Sequence, residues 1–503
     1  MRTAPWVGTI LAPRRGNHHR PSSIVTVSVA LLALLFATAT TASSTFAPST
    51  PGDSNAAPFG FRTVASEGTS VLNVDTGLTF ASIQDAINAA TAGDTLRVLA
   101  PVLVEGQVMV DRDINLEGAT GAEVVAMGVD TGEVGDDRAW FLVDTGVTMN
   151  VSNLTFDGNG FLVFQAFRHR GDAGLFEAVN FRDIQYSTVS AEYHGTAIVA
   201  FGGDVDVIDS TFEDIGRIGV LHFGAGITAS NITNSTYVGK GDGDHLDYAW
   251  EAGAGAVVRI DGSVASDCRG IAAADNSSSA GMLATTFFGA GTAVEVVGST
   301  FLDSAIGIGM GTGDPADTAG AILNFNRIFG NDIGVQHTTM ASIDAENNWW
   351  GCNDGPGAAG CDDVQGSGGP VDADPWLLLS VAVDDPVVLY GATTTAFAAL
   401  TGNSEGVDTG GLGWVTDDTP AAFASDVGTM TPDVTGTLQG IAASEFFAEV
   451  HGDGVVQATV DNQTVETPIR VVATVEVPTL GNFGLLLLVS VLLVLGVRRL
   501  NLS

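Results

Sequence analysis

Three observations predict an all-β protein, built as a coil of stacked short strands followed by a two-sheet sandwich. Between residues 71 and 379 a short sequence motif recurs, which we call the repeated phrase: a small or polar residue, then Thr or Asn, then an aromatic or aliphatic residue. Runs of three to five residues with alternating apolar positions fill this region, separated by Gly, Asp and Asn, and helical periodicity is absent. From 380 to 475 the alternating runs become longer, which is typical of a sandwich.

The amino-acid composition excludes two classes of partner. The 503 residues include 19 Lys or Arg and 58 Asp or Glu, so nucleic-acid binding, which needs clustered cations, is not expected. The glycine-rich segment 309–313 follows no strand-to-helix pattern, which excludes a nucleotide loop. Segment 43–476 holds all 58 carboxylates with 12 Arg and Lys240, a net charge of 13 − 58 = −45. This indicates either a protein of brine or Ca²⁺-rich water, or an ordinary acidic secreted protein.

Both ends of the chain carry candidate targeting signals. Arg14, Arg15 and Arg20 precede an apolar run over 24–37 and then small residues, which predicts a secretory signal peptide over 1–42 and a linker over 43–70. A second apolar run, 483–497, is followed by Arg498 and Arg499. As a helix it would be about 22 Å long, shorter than the roughly 30 Å hydrocarbon core of a bilayer.

The residues around the start of this second run resemble the bacterial IPTL-CTERM sorting signal. The matching positions are Val477, Pro478, Thr479, Leu480, Phe483 and Gly484. The resemblance covers 477–499 and implies processing by sorting machinery at the membrane and a final place at the cell surface or outside the cell. A simple C-terminal membrane anchor is the alternative.

The coil has a recognisable beginning and a regular period. In 82–90, Ile83, Ala86 and Ile87 fall on one helical face, with Ser82 at a capping position, which predicts a short helix covering the first turn of the coil. The aromatic residue of the repeated phrase then returns after 25, 31 and 25 residues, as expected for one coil turn per repeat. These aromatic residues are Phe156, Phe181, Phe212 and Tyr237.

Segments 80–87 and 92–98, together with 347–351 and 371–377, resemble the opening and closing turns of pectin lyase-like right-handed parallel β-helix proteins. The resemblance implies that fold over 71–379. It leaves function open, because the fold hosts lyases, esterases and hydrolases as well as non-enzymatic surface proteins. Segments 423–432 and 458–464 resemble invasin-type bacterial immunoglobulin-like domains, which implies an immunoglobulin-like β-sandwich over 380–475 acting as a stalk.

The three cysteines fit an exported chain. Cys352 and Cys361 bracket a turn-rich stretch and are predicted to form a disulfide, whereas Cys268 is expected to be a buried small residue rather than a reactive thiol.

Candidate ligand-binding residues cluster in 168–247. His169, His194, His222 and His245 recur at the period of the coil, and Arg168 and Arg170 lie beside the first of them. On one outer face they would suit an acidic polysaccharide, and Lys240, His222 or Tyr193 would then be candidate bases for β-elimination. The alternative is a set of ordinary polar residues that do not align.

Three nearby carboxylates, Asp242, Asp244 and Asp247, are candidate Ca²⁺ ligands, although a solvated turn explains the same pattern. No other cofactor is expected. The sequence therefore favours an exported, surface-sorted structural or adhesive β-helix protein that binds polysaccharide or extracellular matrix. The alternative is a polysaccharide lyase that acts on an acidic polysaccharide through the 168–247 face.

Overall fold

The computed structural model describes residues 69–127, 138–186, 194–286, 288–314, 316–473, 486–487 and 489–493. The predicted signal peptide, nearly all of the linker, the sorting motif from Val477 to Gly484 and the candidate base Tyr193 lie outside the described residues and stay predictions.

The first and larger part of the chain is a parallel β-helix, as the sequence predicts. Its elements are β1 (Val71–Asn73), β2 (Thr79–Phe80), α1 (Ile83–Ala89), β3 (Thr95–Val98), β4 (Val102–Glu105), β5 (Val108–Val110), β6 (Ile114–Gly118), β7 (Glu123–Ala126), β8 (Phe141–Val143), β9 (Thr148–Ser152), β10 (Thr155–Asp157), β11 (Gln165–His169), β12 (Ala173–Glu177), β13 (Asn180–Ile184), β14 (Thr196–Ala200), β15 (Asp204–Ile208), β16 (Thr211–Ile215), β17 (Ile218–Phe223), β18 (Ser230–Thr233), β19 (Thr236–Val238), β20 (Tyr248–Gly253), β21 (Val257–Asp261), β22 (Val264–Ser266), β23 (Ala280–Ala284), β24 (Ala293–Val297), β25 (Thr300–Leu302), β26 (Ile306–Met310), β27 (Gly320–Asn324), β28 (Arg327–Phe329), β29 (Ile333–His337), β30 (Ile343–Asp344), β31 (Val364–Gly366) and β32 (Val371–Asp372).

These strands form three long sheets that run along the coil. Sheet 1 has 13 strands in the order β2-β1-β3-β6-β9-β12-β15-β18-β21-β24-β27-β30-β32. Sheet 2 has nine, from β4 to β28, and sheet 3 has ten, from β5 to β31, each in steps of one coil turn. The pairs along all three sheets are parallel, except that β1 is antiparallel to β2 and β3 at the N-terminal end.

Helix α1 closes this N-terminal end. The Ser82 hydroxyl accepts a hydrogen bond from the Asp85 backbone N–H at 3.0 Å, so the helix begins where its capping residue predicts. Ile83, Ala86 and Ile87 are buried against the core of the first coil turn. The helix therefore covers apolar surface that would otherwise face water.

The repeated phrase is explained by two ladders inside the coil. The aromatic residues stack in register on the inner side of sheet 2, with ring centroids of Phe156 and Phe181 5.4 Å apart and those of Phe181 and Phe212 5.2 Å apart. Tyr237 follows in the same register. Burial of these large rings supplies much of the apolar core of the coil.

The small polar residue of the phrase forms the second ladder, at the bend from sheet 1 to sheet 2. Each one accepts the backbone N–H of its counterpart one turn earlier: Ser235 from Ser210 at 3.2 Å, and Ser263 from Ser235 at 3.1 Å. The ladder continues through Ser299, Asn326 and Asn348. These bonds satisfy backbone groups that are buried at the bend.

The second part of the chain is a two-sheet sandwich. Its strands are β33 (Leu377–Val383), β34 (Val387–Leu389), β35 (Thr393–Asn403), β36 (Pro420–Ser425), β37 (Gly428–Thr431), β38 (Val434–Gly436), β39 (Ile441–Ala448), β40 (Gly452–Val460) and β41 (Gln463–Val472). One sheet has the order β33-β35-β39-β37 and the other β34-β41-β40-β36-β38. The first strand begins at Leu377, slightly before the boundary at 380 that the sequence suggests.

The β-helix and the sandwich share a buried junction. Phe325 and Trp349, from the last coil turns, belong to the same apolar cluster as the sandwich core. The Arg327 guanidinium forms a two-pronged ion pair with Asp461, in the turn between β40 and β41, and the Trp349 indole donates to the same carboxylate at 2.8 Å. The sandwich thus covers the C-terminal end of the coil, as α1 covers the other end.

Phe325 has a backbone conformation that usually favours Gly, Asn or Asp, and its packing at the junction explains why. The residue before each member of the polar ladder has a positive φ, and at the other turns it is Asp209, Asn234, Asn347 or a glycine. Phe325 has φ 61°, a conformation that is unfavourable for a bulky side chain. Its ring is 6% exposed and packs in the sandwich cluster, which compensates for the unfavourable backbone.

The cysteines lie in two different environments. Cys352 and Cys361 are joined by a disulfide, with Cα atoms 5.2 Å apart, in the loop that faces the sandwich turn. Cys268 is free and fully buried, and burial raises the pKa of its thiol well above the ordinary value. A thiol in that state is a poor nucleophile.

Candidate functional site

The candidate site lies on the outer face of sheet 3 and along the loops that enter it from sheet 2. Strands β11, β14, β17, β20 and β23 stack here, and Arg168, Val199, Leu221 and Glu251 follow one another in register on the outer side. Several loops from sheet 2 to sheet 3 are long at this point, including 239–247 and 267–279. Long loops beside a regular sheet are where β-proteins usually place binding groups.

Two of the four candidate histidines point into the coil. His169 and His222 lie in register with each other on strands β11 and β17 of sheet 3, on the side that faces the interior of the coil. Ala200, Ala252 and Met310 of the core lie in the same row. Both are 0% exposed, and His222 Nε2 lies 2.9 Å from the Val205 carbonyl oxygen. Burial lowers the pKa of His169 to about 4 and lowers that of His222 as well, so both rings are neutral core groups.

The other two histidines lie at the edge of sheet 3 where the polypeptide enters each strand, and they have different neighbours. His194 packs against Phe164, with ring centroids 5.1 Å apart. His245 Nε2 is 3.3 Å from an Asp247 carboxylate oxygen. The expectation of one outer row of four histidines is therefore corrected: the matching intervals place two of them inside the coil and two in separate loops.

Lys240 is held inside a network that closes the loop from sheet 2 to sheet 3. Its ammonium group pairs with Asp247 and donates to the Ile215 carbonyl oxygen at 2.5 Å. Asp247 is 0% exposed and also accepts from the Tyr237 hydroxyl at 3.0 Å. Burial alone would raise the pKa of Asp247, but bonding to His245 and the charge of Lys240 hold it below its ordinary value. Lys240 thus stabilises a buried carboxylate rather than facing an open surface.

The three candidate Ca²⁺ ligands are directed to three different partners. Asp242 pairs with Arg269 at 3.0 Å, Asp244 accepts the Ala273 N–H at 2.7 Å, and Asp247 faces Lys240. Within the described ranges, no group of three His, Cys, Asp or Glu side chains is arranged to hold a metal. The grouping of these carboxylates as a Ca²⁺ site is therefore corrected, because their spacing along the loop does not bring their oxygens together.

A cluster of cations and aromatic rings lies at the same edge of sheet 3, two coil turns nearer the N-terminus. The Arg138 guanidinium carbon is 4.1 Å from the ring centroid of Phe164 and 4.5 Å from that of Tyr186. His194 adjoins both rings, and burial together with the positive charges of Arg217 and Arg138 lowers its pKa to about 4. We call Arg138, Phe164, Tyr186, His194 and Arg217 the Arg138 cluster.

Arg168 and Arg170 have separate surroundings. Arg168 is 5% exposed, with its guanidinium 4.3 Å from the Phe201 ring centroid and 3.2 Å from the Gln165 amide oxygen. Arg170 pairs with Asp144 at 3.4 Å. Of the six residues that the sequence indicates as ligand-binding, only His194 belongs to the Arg138 cluster.

Sequence reasoning missed Glu251, which lies on the outer side of sheet 3 between Leu221 and Leu283. Its side chain is 2% exposed, and neither carboxylate oxygen accepts a hydrogen bond in the described part of the chain. Burial raises its pKa to about 7, while Arg217 acts in the opposite direction. The available signal was a carboxylate inside the apolar strand 248–252.

Glu251→Gln is expected to flatten the pH dependence of stability. The pKa of the carboxyl is about 7 in the folded chain and about 4.5 when it is exposed, so its stabilising contribution is complete below pH 4.5 and is lost as pH rises through 7. Urea unfolding should show that the free energy of unfolding of the wild type falls between pH 5 and pH 8 by on the order of 3 kcal/mol because of this group. The variant should not show this decrease. The exposed Glu213→Gln should behave as wild type, and identical profiles for all three proteins would contradict the assignment.

No helix in the described residues has the length and apolar character needed to cross a membrane. No protein-family model matches the chain, and no curated protein matches it. Among solved structures, it is similar to domains 4 and 5 of the S-layer protein SbsC, at 21% identity and a TM-score of 0.15, over 20% of this chain and 56% of that one.

Two larger pieces of the same S-layer protein, domains 4–9 and domains 1–6, align at 20% identity and a TM-score of 0.16. Each alignment covers 22% of this chain, and the chain spans only 16% and 15% of those two structures. With such short coverage and low TM-scores, these similarities carry no argument about what the chain does.

Proposed function

We propose that this chain is an exported surface protein with a structural or adhesive role. The observation that carries the proposal is the junction, where coil and sandwich share one apolar cluster and a buried ion pair. Such a junction holds the sandwich, acting as a stalk, rigidly against the coil, so that force on one domain is transmitted to the other. The acidic composition of the chain, with a net charge of −39, suits an exposed, soluble surface.

The finer proposal is that the adhesive role includes binding of an acidic polysaccharide at the Arg138 cluster. Arg138 lies against two aromatic rings that contact each other, and no carboxylate of the described segments forms an ion pair with it. That is unusual in segment 43–476, where carboxylates outnumber Lys and Arg by 58 to 13. A planar guanidinium fork matches the carboxylate or sulfate group of an acidic sugar.

The lyase alternative receives less support. β-Elimination needs a base that reaches the sugar ring and a cation that neutralises the neighbouring carboxylate. Lys240 is committed to Asp247 and His222 is 0% exposed, so neither reaches a polysaccharide on the outer face. Tyr193 lies outside the described residues.

The test uses residues 43–476 in high salt with alginate, polygalacturonate, chondroitin and neutral glucans, with pull-down and the absorbance of unsaturated product followed together. We expect binding to the acidic polymers without product. Arg138→Ala should weaken binding about tenfold, because a charge-assisted pair contributes about 1.5 kcal/mol or more. Arg112→Ala removes a partly exposed guanidinium that pairs with Asp111 and should leave binding unchanged.

Other outcomes of this test separate the candidates. Product that disappears in a folded Lys240→Ala variant would establish the lyase and overturn the adhesive role. Binding that is equal in Arg138→Ala and wild type would remove the Arg138 cluster as the site. Absence of binding to every polymer would contradict the polysaccharide proposal and leave the structural role.

A further inference from the structure

The end of the sandwich farthest from the β-helix carries exposed apolar side chains. Strand β40 runs from Gly452 at this end to Val460 at the junction, which is about 30 Å at 3.3 Å per residue. The exposed fractions here are 57% for Val387, 50% for Leu389, 46% for Tyr390 and 53% for Val450. We call these four residues and His451 the tip patch.

The tip patch is one continuous surface made by neighbouring loops. The rings of Tyr390 and His451 stack with centroids 4.5 Å apart, which joins the loop after β34 to the loop before β40. Val450 donates its N–H to the Val427 carbonyl oxygen at 3.0 Å. Val388, between Val387 and Leu389, is buried in the sandwich core, so its two neighbours point outward.

The chain leaves the sandwich at this same end. The Tyr390 N–H donates to the carbonyl oxygen of Val472, the last residue of β41, at 2.9 Å. Only ten residues, 473–482, separate Val472 from the apolar run over 483–497. Ten residues span at most about 35 Å.

The described residues of that apolar run are themselves exposed. Leu486, Leu487, Leu492 and Leu493 have exposed fractions of 62% to 66%, and Val489 and Val491 of 48% and 49%. Apolar side chains on all sides of a helical segment require an apolar environment that the folded domains do not provide. A lipid bilayer is the environment that meets this requirement.

We propose that the tip patch docks onto the surface of a lipid bilayer that holds the apolar tail, which sets the stalk and coil upright on the membrane. The inference rests on the proposed surface location of the chain. Tyr and His, apolar at one end and polar at the other, suit the headgroup region, and Leu389 and Val450 reach below it. Because the chain leaves the sandwich beside Tyr390 and only ten residues precede the apolar run, the tip patch is the part of the folded domains nearest to the membrane.

The charges around the tip patch specify the kind of lipid. Asp384, Asp426, Glu449 and Asp453 are exposed at this end, against the single cation Arg470, which pairs with Asp453 at 3.5 Å. This rim is repelled by anionic headgroups at low salt. The partner is therefore a zwitterionic bilayer, and docking onto anionic vesicles should occur only at high salt.

The experiment places a polarity-sensitive fluorophore on Val450→Cys in the chain from residue 43 to Ser503, mixed with phosphatidylcholine vesicles. Leu412→Cys, 71% exposed in a loop near the junction, is the matched control. We expect vesicles to increase and blue-shift the emission of the Val450 label, and nitroxide lipids to quench it, with no change at Leu412. Leu389→Ser with Tyr390→Ser should lower the docked fraction about tenfold while the chain still floats with the vesicles.

Each other outcome overturns the proposal in a distinguishable way. A chain that floats with vesicles while the Val450 label stays in water shows that the tail binds and the tip patch does not. A chain that does not float shows that neither binds. Stronger docking onto anionic than onto zwitterionic vesicles at low salt would contradict the lipid assignment. The polysaccharide pull-down is independent of all three, so the proposed function is tested separately.

Discussion

Asp461→Ala is expected to lower the free energy of unfolding by about 3 to 5 kcal/mol. The side chains of Arg327 and Asp461 are 11% and 3% exposed, so removal of the carboxylate leaves a guanidinium buried without its counter-charge. The Trp349 indole loses its acceptor in the same change. The loss falls at the junction, so the sandwich and the end of the coil should unfold at lower denaturant than the rest.

Guanidinium unfolding followed by intrinsic tryptophan fluorescence measures this effect, because Trp349 lies at the junction and donates to Asp461. Arg470→Ala is the matched control, since its ion pair with Asp453 is 65% and 82% exposed and should contribute less than about 1 kcal/mol. Equal stabilities of Asp461→Ala and Arg470→Ala would show that the junction ion pair does not hold the two domains together.

Lys240→Ala is expected to be comparably destabilising, by about 3 to 5 kcal/mol, because it leaves the fully buried Asp247 without its ammonium partner. The double variant Lys240→Met/Asp247→Leu removes both charges and should recover much of the loss. Arg269→Ala removes a cation of the same loop whose partners Asp242 and Asp332 are exposed, and should have little effect. Thermal unfolding of the four proteins at pH 7 makes the comparison.

The pH dependence of this effect has a defined direction. The folded pKa of Asp247 lies below its ordinary value of 3.8, so its stabilising contribution is present above that pH and is lost as pH falls through the folded value. The stabilities of wild type and Lys240→Ala should therefore converge in strong acid. A constant difference down to pH 2 would mean that Lys240 acts through packing of its side chain and not through charge.

Much of the fold was predictable because the coil repeats its local chemistry. An aromatic residue two positions after a small polar one marks the bend from sheet 1 to sheet 2 at several turns, as at Ser210 with Phe212 and at Ser235 with Tyr237. Both residues act on their counterparts one turn away, so the same pair must recur with the turn. The cap by α1 was predictable for a similar reason, since helix periodicity and Ser82 are local signals.

The site was less predictable because the direction of a side chain changes with each residue of a strand. His169 points into the coil and Arg168, one position earlier, points out, although the sequence pattern suggested one outer face for both. Spacing also says nothing about partners from other turns. Arg138 meets Phe164 and Tyr186 only because three successive turns stack at that edge.

The sequence by itself determined the all-β class, the coil followed by a sandwich, and the acidic character of the chain, because these depend on periodicity, turn residues and composition. Tertiary structure alone decided that Lys240 stabilises Asp247, that Glu251 is a buried carboxyl, and that Phe325 enters the sandwich core. Each of these depends on burial and on contacts between distant segments. Stacking and domain docking create those contacts, and no local pattern in the chain encodes them.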